Sequence, residues 1–153
     1  MSSMATVFVD STTLLYPLDL NSPGKARASR AWLRGLRDRD RLVMSLQVLH
    51  ECYWVVARKP AFSDARPLVR DYLRDHALWA TAPLHVDVLF DAWVLQDRFG
   101  VSFWDGLMLA SANAAGCALF LSEDLNDGQS YGLVQAVNPF RHAPEDVLGP
   151  ALR

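Results

Sequence analysis

Three acids stand where strands are expected to end or helices to begin. Asp10 closes the run Thr6-Val7-Phe8-Val9, Asp105 lies in Ser102-Phe103-Trp104-Asp105, and Asp124 follows Ala118-Leu119-Phe120-Leu121 and two further residues. Carboxylates brought to one place repel, so keeping several ionised together requires a cation. All-oxygen ligands at a half-open site favour Mg²⁺ or Mn²⁺. Such an ion polarises a phosphodiester, activates a water and stabilises the leaving oxygen. The chain has no Cys/His cluster with zinc spacing, no glycine-rich phosphate loop and no G-x-S-x-G.

Each acid has a second reading. Asp10 can equally cap the helix after its strand. Asp105 can be a first-turn acid favoured by the helix dipole. Asp124 can belong to an Asx-type turn. Glu51 lies away from the apolar stripe of its helix, on a side with Gln47 and Arg58, and by spacing alone reads as a solvated residue.

Short β-branched or aromatic runs alternate with helical patterns along the chain. Thr6 to Val9 reads as a buried first strand. Ser11-Thr12-Thr13 caps a short helix through Tyr16, which Pro17 ends or bends. Ser22-Pro23 opens a helix to about Arg37, with Trp32, Leu33 and Leu36 inward and Arg27, Arg30, Arg34 and Arg37 on another side. Leu42 to Met44 is a strand candidate. Ser45 caps a helix to about Arg58, with Leu49, Cys52, Tyr53 and Val56 as its core stripe. A fourth helix covers about 64–76, and Leu78 to Ala80 is a strand or an extended connection. A fifth, about 84–99, turns Val86, Leu89, Phe90 and Trp93 inward and ends at a left-handed Gly100.

Ser102 opens a helix of small residues suited to close packing on a sheet. Strands follow at Ala118–Leu121 and, edge-like, at Leu133–Val137. A polar loop joins them, and an aperiodic tail follows from Pro139. The pattern predicts one three-layer α/β domain over residues 1–153 with a mainly parallel sheet flanked by helices, its core at about 5–140 and a tail at 141–153. In a right-handed crossover, the helix of Asp105 begins at the sheet edge where the strand carboxyl ends lie, so Asp10, Asp105 and Asp124 can share one rim.

Composition agrees with a globular domain: 51% hydrophobic and 21% charged residues. No apolar run approaches the roughly 18 residues of a membrane span, and Met1-Ser2-Ser3-Met4 has no basic region of a signal peptide. Cys52 and Cys117 read as buried thiols in a reduced compartment, so the cytoplasm is expected. The net charge of −2 hides an asymmetry: residues 1–80 carry 12 Lys+Arg against 8 Asp+Glu, and residues 81–153 carry 3 against 9. An arginine-rich surface opposite an acidic pocket suits a phosphate-rich ligand, and equally a solvated helix face.

Four segments in order carry a family resemblance. They are Phe8-Val9-Asp10-Ser11 with Leu14-Leu15-Tyr16; Ser45 to Tyr53 with Glu51 inside; Ser102 to Leu107 around Asp105; and Leu121 to Gln129 followed by Val137-Asn138-Pro139-Phe140. From Val7 to about Phe140 the chain resembles PIN-domain proteins, and more narrowly VapC-type toxin ribonucleases of type II toxin–antitoxin systems. The resemblance implies a metal-dependent endoribonuclease using Mg²⁺ or Mn²⁺. Asp10 and Asp105 would be the principal metal ligands, and Asp124 and Glu51 would complete the pocket directly or through water. It also implies an RNA substrate (transfer RNA at family level), a cognate VapB-type antitoxin whose C-terminal segment occupies the groove over the acids, and a toxin homodimer.

Three positions depart from the family pattern: Thr12 stands where Asn is frequent, Thr13 at an apolar position, and Asp127 where His is frequent, leaving Asp127 a peripheral ligand or a loop residue. Ser11 and Thr12 are expected to support the site. Arg27, Arg30 and Arg34 are candidates for RNA phosphates. Trp54 and Trp104 are expected to pack in the core, with base stacking as the other reading. His50 and His76 are expected to be structural. A non-catalytic PIN-like binding module and a DNA-directed nuclease of the same fold are the competing functions. A receiver-like phosphotransfer domain needs a late lysine, and none follows Lys59.

Overall fold

The structure is a computed structural model and describes residues 5–150. The expected domain span also takes in residues 1–4 and 151–153, which lie outside the described residues. Five strands form one sheet in the order β2-β1-β3-β5-β4: β1 (Val7–Val9), β2 (Leu42–Val43), β3 (Leu119–Leu121), β4 (Ser130–Tyr131) and β5 (Val134–Val137). All neighbours run parallel except β4 and β5. The helices are α1 (Ser11–Leu15), α2 (Pro23–Asp38), α3 (Leu46–Ala57), α4 (Arg66–His76), α5 (Val86–Phe99), α6 (Phe103–Ala114) and α7 (Pro144–Leu148). They cover the sheet to give the expected three-layer α/β architecture.

β1 and β3 carry no polar residue because both of their faces are covered. Phe8 pairs with Phe120 in register, and their rings stack at 5.2 Å and 7°. The ladder sets the rim. Val9 is level with Leu121, and Asp10 N–H continues the ladder to Leu121 O at 3.3 Å. Ser122 N–H continues it to Val137 O at 3.0 Å. Asp10 and Ser122 therefore leave the sheet side by side, and Asp124 follows two residues on.

Helix α6 is central, with Met108 to Ala112 buried. It lies close against α5, and Gly106 permits this: a Cβ there would stand 3.1 Å from the Ala92 carbonyl oxygen. Gly100 ends α5 in the left-handed conformation, φ 67°, as expected.

Several expectations are corrected. The short first helix is capped by Asp10, not by Ser11 to Thr13, and Pro17 sits inside a 3₁₀ turn that continues it, Tyr16–Leu18. Leu78 to Ala80 forms no strand. Residues Ala77–Trp79 make a 3₁₀ turn, although Trp79 O accepts from Met44 N–H at 2.8 Å. The last strand is not at the edge: β4 forms within the expected polar loop and covers β5 antiparallel. The tail is ordered into α7 against α2, because the buried Trp32 indole donates to Pro139 O and His142 O, both at 3.0 Å. Arg39 and the buried Arg41 add bonds to Gly149 O and Leu148 O.

The fifth helix turns the other way. Val88, Ala92 and Leu95 point inward, whereas Val86, Phe90, Trp93 and Val94 are exposed. It carries two apolar stripes, and periodicity cannot say which one meets the core. Helix α3 likewise rests on Gln47, Val48, Cys52 and Val56, with Leu49 and Tyr53 only partly buried. Ser45 stands at its N-cap, but the hydroxyl makes no cap bond and is buried without a partner among the described residues.

Candidate active site

Asp10 is 3% exposed, and its Oδ1 accepts the Thr13 N–H at 2.9 Å. The capping reading is therefore correct for this residue. Burial nevertheless pushes its carboxyl up from 3.8 to about 7, with the Asp124 charge pushing the same way and bonds from Thr13 and Ser122 opposing. That is far more desolvation than a cap requires. Thr13, where the sequence departs from an apolar pattern, thus serves Asp10 directly.

Asp105 is half-buried in the first turn of α6, and Ser102 Oγ accepts its N–H at 3.1 Å, the bond expected of S-x-x-D. Burial raises its carboxyl, Ser102 opposes this, and Asp124 adds to it. Asp124 is exposed and held by its N–H to Ser122 Oγ at 3.1 Å, so Ser122, and not Asp124, makes the turn bond. Asp124 therefore bears on both other acids from the open side of the rim.

Glu51 is not a free helix residue. Its Oε1 accepts from Ser11 Oγ at 3.2 Å, and its Oε2 from Gln47 Nε2 at 3.1 Å. The same Gln47 nitrogen donates to Trp104 O at 3.0 Å. These bonds tie Glu51 to the residue after Asp10 and to the residue before Asp105. Gln47 is buried and its Oε1 has no partner among the described residues. Sequence reading missed Gln47 and Ser122; the four-residue step from Gln47 to Glu51 on one helix was the available signal. Thr12 is partly buried in α1.

The acids share one rim without forming a closed cage: among the described residues, no three His, Cys, Asp or Glu side chains stand close enough to hold one ion. The donors fit a hard divalent cation all the same. They are carboxylate oxygens, one of them buried at a cost that a bound cation removes. Asp127 is turned to another task. Its Oδ1 accepts Asn138 N–H and its Oδ2 faces His142 Nε2, both at 2.8 Å, so both oxygens serve the loop.

A groove of about 1040 Å³ opens beside Ser11 and Glu51, walled by Leu49, Trp54, Leu84 and Trp104. The core-packing expectation for the two tryptophans is overturned: Trp54 is 63% and Trp104 59% exposed. The Arg58 guanidinium lies 4.7 Å from the Trp54 ring centre. His50 is an exposed residue of the same wall, not a structural one, whereas His76 is buried between Arg37 Nη1 and Tyr72 O, each at 2.8 Å. Of the α2 arginines, Arg27 and Arg34 are exposed, and Arg30 donates to Pro17 O at 3.2 Å.

A family model described as the PIN domain matches residues 7–126. No curated protein matches the chain. Among solved structures, the chain is similar to FitAcB from Neisseria gonorrhoeae, at 17% sequence identity and a TM-score of 0.65, covering 90% of this chain and 100% of that one. At that identity the likeness speaks for the fold.

Proposed function

The chain belongs to the PIN domain family, and from that premise we propose that it is a divalent-metal-dependent endoribonuclease acting as the toxin of a VapC-type toxin–antitoxin pair. The observation that carries the reading is Asp10. A carboxylate this deeply desolvated, beside Asp124 and next in the chain to Ser11 of the groove wall, is costly to the apo fold.

Asp10, Asp105 and Asp124 would hold Mg²⁺ or Mn²⁺, with Glu51 entering directly or through water. When bound, that ion supplies positive charge and Lewis acidity toward a phosphodiester. The remaining work belongs to the chain. Thr13 and Ser122 orient Asp10 and favour its ionised form. Ser11 and Gln47 hold both oxygens of Glu51 at the rim. Arg27, Arg30 and Arg34, all exposed on α2, would attract the RNA backbone.

The apolar groove supports an antitoxin segment that covers the acids, since its walls of Trp54, Leu84 and Trp104 suit an apolar peptide face. The exposed stripe Val86, Phe90, Trp93 and Val94 supports a homodimer through α5. Among the described residues, no helix is long and apolar enough to cross a membrane. We place the protein in the cytoplasm, where its RNA is. Matched RNA and DNA oligonucleotides with Mn²⁺ test the substrate: cleavage of RNA alone is expected, and preferential cleavage of DNA would replace this reading with a DNA nuclease.

A further inference from the structure

A second cavity, about 490 Å³, lies between α2 and the loop before α7. Its walls are Lys25 and Ala28 of α2 and Pro139 to Ala143 of the loop before α7, and so include Phe140, Arg141 and His142. Nothing in the site described above uses it.

The cavity is built rather than incidental. Lys25 Nζ donates to Glu123 Oε2 at 2.8 Å, one residue before Asp124. The Tyr16 hydroxyl donates to the other oxygen of Glu123. The same ammonium sits 5.3 Å from the Tyr16 ring centre and 5.2 Å from that of Phe140, while these two rings meet edge to face. Lys25 is thereby fixed, yet remains 45% exposed; Glu123 Oε2 and, at 3.4 Å, the Tyr16 hydroxyl take two of its three donors and leave one to place. The opposite wall is equally fixed. Trp32 holds Pro139 O and His142 O, Asn138 Oδ1 accepts Phe140 N–H at 2.9 Å, and Asp127 anchors His142. Arg141 projects from this braced loop and is exposed.

We propose that this cavity is a phosphate-binding subsite for the RNA strand, in which Lys25 and Arg141 hold a backbone phosphate next to the one that lies over the acids. The proposal takes its substrate class from the nuclease reading and adds where the strand runs. Two cations held apart by a cavity match one phosphate, which an arginine fork grips in two places. Phe140 offers a ring face for the attached base. Glu123 fixes Lys25 one residue before Asp124 in the chain, which sets the subsite next to the acid rim.

The test is binding of a fluorescein-labelled unstructured RNA dodecamer to the full chain in EDTA, across a salt series. For single strands each lost phosphate contact reduces the salt slope by about 0.7. Arg141→Gln is expected to weaken binding about fivefold to tenfold with that loss of slope, at unchanged Tm. Lys25→Gln is expected to do the same. Arg66→Gln, on exposed α4, is expected to change neither. A dodecamer carrying one neutral methylphosphonate, walked along the strand, is expected to lose affinity at one position more for the unsubstituted chain than for Arg141→Gln. Unchanged affinity in a folded Arg141→Gln chain, or equal losses in Arg66→Gln, would overturn the subsite. RNA that binds through this subsite but is never cut would instead sink the nuclease reading alone.

Discussion

Ser11 Oγ donates to Glu51 Oε1 at 3.2 Å across 40 residues of chain, joining α1 to α3 at the mouth of the acid rim. Gln47 completes the clamp from the other carboxylate oxygen. A hydrogen bond to a charged group contributes roughly 1.5–3 kcal/mol. Ser11→Ala is therefore expected to lower kcat about tenfold or more and to lower Tm by several degrees, at roughly 2–4 °C per kcal/mol for a domain of this size. Parallel activity and thermal-unfolding measurements on the same preparation check both halves.

Asp10 links stability to pH. Its carboxyl titrates at about 7 when folded and at 3.8 in its ordinary state, so folding takes up a proton between these values. The protonated form's advantage is fully present below about pH 4 and is lost as pH rises through about 7. At pH 8 the cost to the metal-free fold is at most on the order of 4 kcal/mol. Asn caps a helix as well as Asp does, so Asp10→Asn is expected to raise Tm by several degrees at pH 8 in EDTA and to change it little at pH 4. Thermal melts at the two pH values read this directly; equal effects at both would contradict the linkage.

How much of this was legible in the sequence follows from the range over which each force acts. The strand ends at Asp10 and Asp124, the Ser102 cap and the Gly100 stop are set by neighbouring residues, and all stand where expected. One partner of Glu51, Ser11, stands 40 residues away, and only the family resemblance brought Glu51 in. Trp54, Trp104 and the Phe90 side of α5 were misplaced because hydrophobic spacing shows that a face is apolar, not what covers it. Order in the tail draws on an indole 107 residues from a carbonyl it binds and on Arg39 and Arg41 at similar distances, relations no window of sequence contains.

That indole carries a stability prediction. Trp32→Phe keeps most of the apolar contact and leaves the Pro139 and His142 carbonyls without their donor. The cost is expected to be about 1–3 kcal/mol, seen as a lower urea midpoint at unchanged m-value. Because those carbonyls brace the loop of Arg141, RNA affinity should fall with it.

The exposed side of α5 carries an assembly prediction. Phe90 is 49% and Trp93 48% exposed, their rings 5.6 Å apart. Charge placed there should not disturb the core. Phe90→Glu with Trp93→Glu is expected to give a folded monomer where the parent chain is a dimer, as read by light scattering after size exclusion. A dimer that survives both changes would move the interface elsewhere.

The central claim is that the acids at this rim hold a metal for cutting RNA. Its most direct test is end-mapping of RNA incubated with Mn²⁺ and the purified chain, alongside Asp10→Asn, Asp105→Asn and the double variant, each confirmed folded by thermal melts. Internal cleavage by the parent chain is expected, abolished by EDTA and by either substitution. Full cleavage by the folded double variant would contradict it.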